Sequence, residues 1–226
     1  MVHASKDRWA SAVDHLRSVD PRWGPAIDRI GPCQLRPNRD RFGILVRAII
    51  GQQISSRAAA SIHLRLLGQQ EANQHRPELL RKLGEAGIRQ AGLSGVKARY
   101  VLNLAEAVQQ KSVPLDRIGR LGDDEIIARL TTIKGIGRWT AEMFLIFALN
   151  RPDVLSTGDL GVRVGIRNHF GLEDLPVPSA CIPLAEPWRP FRTVAMWYLW
   201  KAIDTPALPQ VHRPGAATES EETVTG

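Results

Sequence analysis

Apolar residues recur along this chain at intervals of three and four, the spacing that puts them on one face of an α-helix. Trp9, Val13 and Leu16 set the pattern over residues 7–19, with Ser5 a candidate cap. Phe42, Leu45, Val46, Ile49 and Ile50 make a wider stripe over 38–51. Ser55 or Ser56 can cap the next helix, RAAASIHLRLLG, which Gly68 would stop. Further helices are predicted over 77–83, over 94–110, from Asp123 into a KGIG turn at 134–137, and from Arg138 or Thr140 to near Leu149. Asp159 stands where a capping acid belongs, ahead of LGVRVGIRNHF with Gly171 as its stop, and the last helix is predicted over 190–202.

Between these segments, the proline- and glycine-rich stretch 20–37 should be irregular with at most a short helix, and the chain after Gly171 reads as a proline-rich connection. No alternating strand pattern, internal repeat or sustained heptad occurs, so the predicted class is all-α. The polar tail 205–226, with Pro206, Pro209 and Pro214, is expected to be disordered.

The KGIG turn lies between two amphipathic segments, IIARL before it and TAEMFLIFAL after it, which predicts helix, hairpin, helix. Gly135 and Gly137 lack a Cβ, so the turn can take positive φ and bring its N–H groups against a ligand. Those groups then sit at the start of a helix, where unpaired donors and the dipole favour an anion such as a DNA phosphate. The same two glycines also suit an ordinary interhelical turn, and Asp159 by itself suits an ordinary N-cap.

Composition narrows the partner. The 226 residues are 43% hydrophobic and 23% charged, ordinary for a globular chain, but the net charge is +7 and the sequence pI near 10.0. The tail carries one base, Arg213, and three acids, Glu219, Glu221 and Glu222, leaving +9 on the remainder. A polyanion, nucleic acid first, is the partner this balance favours. Cys33 and Cys181 are far apart with no CxxC spacing, which excludes a four-cysteine zinc or iron–sulfur site. No signal-like or membrane-spanning run is present, so an intracellular location with the DNA is expected.

Four blocks in order carry a family resemblance: FGILVRAIIGQQISSRAA at 42–59, IKGIGRWTAEMFLIFAL at 133–149, RPDVLSTGDLGVR at 151–163 and EPWRPFRTVAMWYLW at 186–200. Together they resemble the helix-hairpin-helix DNA glycosylase superfamily, most closely its 3-methyladenine DNA glycosylase II family. The resemblance implies two helical subdomains with a cleft between them. Residues 41–150 would form one, and 1–40 with 151–204 the other. It implies a monomer acting on double-stranded DNA that carries a damaged base.

The resemblance also assigns residues. Asp159 matches the catalytic aspartate, which would stabilise an oxocarbenium-like sugar once the nucleotide is flipped into the cleft. Trp139 matches the position of the Schiff-base lysine in lyase-active relatives, so a monofunctional glycosylase releasing alkylated purines is expected. Hypoxanthine and etheno-adenine are further candidate substrates. Trp139, Met143 and Trp200 match the base pocket, where indole faces suit a cationic purine. Gln53 matches the residue inserted into the gap left by the flipped base. Lys134, Gly135, Gly137 and Thr140 would meet phosphate. No cofactor is required, but the carbonyls of Thr131, Ile133 and Gly135 match a site for a structural Na or K ion.

Two features depart from the family pattern. Ser156, Thr157 and Gly158 precede Asp159 where some relatives carry Pro-Asp. The 41 residues ahead of Phe42 are too few for the β-rich N-terminal domain of some members. The competing class is a non-catalytic helix-hairpin-helix DNA-binding protein, which needs phosphate contacts but not Asp159, Trp139 and Trp200 together.

Overall fold

The structure is a computed structural model that describes residues 8–70 and 73–204. Ser5 and the tail 205–226, for which a cap and disorder were expected, lie outside the described residues. Among the described residues the chain forms helices and no strand: α1 (Ala10–Val19), α2 (Trp23–Ile30), α3 (Arg41–Gly51), α4 (Ser56–Gln69), α5 (Pro77–Gln90), α6 (Gly95–Gln109), α7 (Asp123–Thr131), α8 (Arg138–Phe147), α9 (Leu160–Phe170), α10 (Pro178–Ala185) and α11 (Arg192–Asp204).

Side-chain caps place the starts that matter for the site. Asp40 accepts from the Gly43 N–H at α3, Ser55 from Ala58 at α4, Ser94 from Lys97 at α6, and Asp159 from Val162 at α9. Each satisfies a donor that the first helical turn leaves unpaired. Gly171, in the left-handed region at φ 64°, ends α9.

Three local expectations need correcting. Gly68 does not stop α4, which runs through to Gln69. The helix expected to end near Leu83 resumes after a kink and reaches Gln90, because Gly84 takes φ 64° and lets the chain break direction without ending. The proline-rich connection contains α10, whose Pro178 sits in the first turn, where a missing N–H breaks no helical bond.

The core is built on α3 and α8, which pack against each other. Leu45, Val46, Ile49 and Ile50 on α3, and Ala141, Phe144, Leu145 and Ile146 on α8, are all buried. Helix α3 also packs on α4 and α6, and α7 packs on α8. Separately, α11 packs on α9, α2 and α1, around the buried aromatics Trp23, Trp188 and Tyr198. The C-terminus of α3 and the N-termini of α8 and α9 are thereby brought to one cleft.

Candidate active site

Asp159 opens α9, and its Oδ1 accepts the Val162 N–H at 2.8 Å, an N-cap bond. The same carboxylate is gripped by two tryptophans. Trp139 Nε1, on the first turn of α8, donates to Oδ2 at 2.7 Å, and Trp200 Nε1, on α11, donates to Oδ1 at 3.0 Å. An indole N–H can only donate and seeks an acceptor when it is covered, so the two rings and the carboxylate fix one another. Capping and a role in chemistry are therefore not alternatives for this residue. Half-buried, it lines a cleft of about 1000 Å³ shared with Gln53, Gly137, Trp139 and Leu160.

Residues 132–137 form the hairpin between α7 and α8. Gly135 takes φ 106°, and a Cβ there would lie 2.1 Å from Cγ of Tyr100, so both conformation and space require glycine. Gly137 differs from expectation. Its backbone is extended, at φ −92° and ψ 178°, and a Cβ would meet nothing within 4 Å. What it leaves open is the approach to the N-terminus of α8, where the first N–H groups point outward.

Lys134 is exposed, and its carbonyl accepts from Asn103 Nδ2 at 3.0 Å. Thr140, expected to face phosphate, is only 1% exposed, and its hydroxyl accepts from Gln52 Nε2 at 3.0 Å. Its side chain is turned inward because the third residue of α8 faces α3. Of the carbonyls matched to a cation site, that of Gly135 accepts from Gln52 Nε2 and that of Ile133 from the Ile136 N–H, both at 3.0 Å. Each carbonyl oxygen therefore already has a hydrogen-bond donor and keeps a second lone pair.

The two glutamines of GQQIS part company. Gln52 reaches across to Gly135 and Thr140, tying the α3–α4 loop to the hairpin. Gln53 is exposed at the cleft with φ 55°, a conformation uncommon for a residue with a Cβ. The loop that presents it is braced by Lys97, whose Nζ donates to the carbonyls of Ile50 at 2.9 Å and Gln52 at 2.5 Å. Burial pushes the Lys97 ammonium pKa down. Neither brace was legible, since a lysine three residues into a helix looks like any solvated lysine.

Next to the cleft, Trp139, Met143 and Phe147 lie on one face of α8 and, with Ile44 and Ala48 of α3, line an apolar cavity of about 470 Å³. Met143 is 6% exposed and gives this wall its soft surface. Trp200, expected in the same wall, is not among its lining residues. It joins indirectly, stacked on Phe147 with ring centroids 5.8 Å apart. Trp197 and Tyr198 are core residues, the Tyr198 hydroxyl donating to the Gly31 carbonyl.

Beneath the carboxylate lies a second acid. Glu142 of α8 accepts from Ser156 Oγ at 2.6 Å and from Arg138 Nε at 2.9 Å. Burial pushes its carboxyl pKa up, against the pull of Ser156 and Arg138, and the Asp159 carboxylate adds to the rise. No group of His, Cys, Asp and Glu among the described residues could hold a metal ion, and none of the described helices is long and apolar enough to cross a membrane.

Known proteins resemble this chain in sequence and fold. The chain is similar to the alkylbase DNA glycosidase-like protein mag2 of Schizosaccharomyces pombe, with 31% identity over 93% of this chain and 99% of that protein. It is 38% identical to DNA-3-methyladenine glycosylase 1 of the same yeast, covering 83% and 84% of the two chains. Among solved structures it matches the S. pombe 3-methyladenine DNA glycosylase Mag1 in complex with abasic DNA, at a TM-score of 0.80 and 36% identity, over 87% of this chain and 98% of that one. It also matches a Bacillus halodurans DNA-3-methyladenine glycosidase at a TM-score of 0.72 and 35% identity, over 87% and 90%. A family model spans residues 46–190, a range that includes the hairpin and the Asp159 loop: the chain belongs to the HhH-GPD superfamily of base excision DNA repair proteins.

Proposed function

We propose that the protein is a monofunctional DNA glycosylase that hydrolyses the N-glycosidic bond of alkylated purines, of the 3-methyladenine and 7-methylguanine type, in double-stranded DNA. The observation that carries this reading is the Asp159 carboxylate clamped between the indoles of Trp139 and Trp200 at the edge of an open cleft. The relatives named for 3-methyladenine excision support the substrate class.

In this reading the exposed N-terminus of α8 and Lys134 hold backbone phosphate, and Gln53 fills the gap left by the flipped nucleotide. The purine enters the apolar cavity along the Trp139 and Met143 wall, and its sugar comes to Asp159. An alkylated purine is already cationic and leaves readily, so the protein supplies mainly a fixed negative charge beside the cation that grows on the sugar. Three N–H donors hold that carboxylate in place before substrate arrives, so little reorganisation accompanies the reaction. Hypoxanthine and etheno-adenine are neutral bases and would gain less from the indole face.

No amine occupies the Trp139 position, and the nearby Lys97 is engaged by two carbonyls. Base release therefore proceeds without an imine, and borohydride should trap no covalent DNA adduct. Helices α3, α4, α5, α6, α7 and α8 would form one subdomain, and α1, α2, α9, α10 and α11 the other, following their packing partners. The protein acts as a monomer wherever the DNA is. Asp159→Asn should abolish release of 3-methyladenine from methylated duplex. Release at the wild-type rate would overturn the role of Asp159, and no release from the wild-type protein would instead favour a DNA-binding protein without catalysis.

A further inference from the structure

Asp159 is tied to α8 at two points, and only one involves its own side chain. The first is the Trp139 indole on Oδ2. The second runs through the loop that carries it. The Asp159 N–H donates to the Ser156 carbonyl at 3.1 Å, closing a turn, and the Ser156 hydroxyl donates to Glu142 Oε2 at 2.6 Å. Glu142 lies on α8 three residues after Trp139, so tryptophan and glutamate grip the two ends of one turn from one helix.

The strut is buried. Ser156 is 0% exposed and Glu142 4%. A carboxylate so covered costs free energy that an apolar side chain of similar size would not. It also stands near enough to Asp159 for the two negative charges to raise its own pKa. Core filling would not place a second acid there. A turn that must be locked at a set height above α8 does call for a strong acceptor, because a hydrogen bond to a charged acceptor is short and directional. Arg138, the other partner, fixes the opposite oxygen at 2.9 Å and leaves Oε2 aimed at the serine.

We propose that Glu142 is a positioning residue for the reaction: through Ser156 it locks the turn that sets the Asp159 carboxylate between the two indoles. It touches neither base nor sugar. The inference rests on the reading of Asp159 as the group that performs the chemistry. A misplacement of about 1 Å at such a group costs on the order of a hundredfold in rate, so loss of the strut should be felt in the chemical step rather than in DNA affinity.

Glu142→Gln and Ser156→Ala test this. Glutamine keeps the size of the side chain but has one carbonyl oxygen to offer two donors, and alanine removes only the hydroxyl. Two quantities are read for each folded variant. One is the indole N–H chemical shift of the six tryptophans, and the other is the single-turnover rate of base release from methylated duplex, measured beside affinity for abasic DNA. The proposal requires that the Trp139 and Trp200 signals move while those of Trp9, Trp23 and Trp188 stay. It also requires that the rate fall by about tenfold to a hundredfold with abasic affinity within about threefold. Unmoved signals, an unchanged rate, signals that all move together, or failure of both variants to fold each overturn it. If the wild-type protein releases no base, the glycosylase reading falls, and the indole shifts alone decide the positioning claim.

Discussion

The hairpin at 132–137 and the loop at 150–159 face each other across the cleft, and they are held in shape by opposite means. The hairpin is set by backbone. Gly135 fits under Tyr100 because it has no side chain, the Gly135 carbonyl is pinned by Gln52, and what the hairpin presents is main-chain N–H. The Asp159 loop is set by side chains. Arg192 donates to Asp153 Oδ1 at 2.6 Å, Thr193 Oγ1 accepts the Val154 N–H at 2.9 Å, Glu142 accepts from Ser156, and two indoles hold Asp159. What this loop presents is one carboxylate. In the proposed reading the hairpin grips phosphate through main-chain N–H groups, whereas the chemistry needs a charge at a fixed point, and the bracing on each side of the cleft suits that division.

That contrast is open to test by substitution. Apart from changes at Asp159 itself, the largest effect is expected from Gly135→Ala, which combines strained φ with a clash on Tyr100. It should cost about 2–4 kcal/mol in urea unfolding, and a neutral result would show that the hairpin is not fixed as described. Trp139→Phe removes one indole donor from the carboxylate and should slow single-turnover base release by about tenfold to a hundredfold with the fold intact. Gly137→Ala should leave stability within about 0.5 kcal/mol, since its Cβ meets open space, yet weaken binding to abasic duplex by about tenfold by covering the α8 N-terminus. Lys134→Ala should weaken DNA binding only a few-fold and lower the salt dependence by about one phosphate contact.

The smallest effect is in pH. Burial raises the Glu142 carboxyl pKa above its ordinary 4.5, so the folded chain holds that proton more tightly than the unfolded one. The stability this group contributes is full below about 4.5 and is lost as pH rises through the raised value. Urea midpoints from pH 4.5 to 8 should therefore shift in favour of Glu142→Gln relative to the wild type as pH increases. A constant difference across that range would mean that the carboxylate is not desolvated in solution.

The same contrast explains what could be read in advance. Helical periodicity located α3 and α8, because it repeats locally along the chain, and it placed Asp159 as the N-cap of α9, whereas a role in chemistry for Asp159 came only from the family resemblance. Gly137 resembled Gly135 in sequence, but only the φ of each and the position of Tyr100 separate them. Arg138 and Glu142 look like a solvent-facing i,i+4 pair. In the folded chain the arginine side chain is 71% exposed and the carboxylate 6%, because Ser156 arrives from a distant loop. Helix α10 was hidden by prolines that happen to fall where a helix tolerates them, except Pro183, which the helix carries within its length. Lys97 and Gln52 act through main-chain carbonyls, which leave no mark on side-chain pattern.

The central claim is that the carboxylate between two indoles performs the chemistry while the hairpin only holds the DNA. Single-turnover release of 3-methyladenine by the wild type and by Asp159→Asn, measured with abasic-duplex affinity on the same preparations, tests it most directly. The account predicts a rate lower by on the order of 10² to 10³ or more with affinity changed less than about threefold. A variant that releases the base at the wild-type rate, or that loses affinity in proportion to rate, would contradict it.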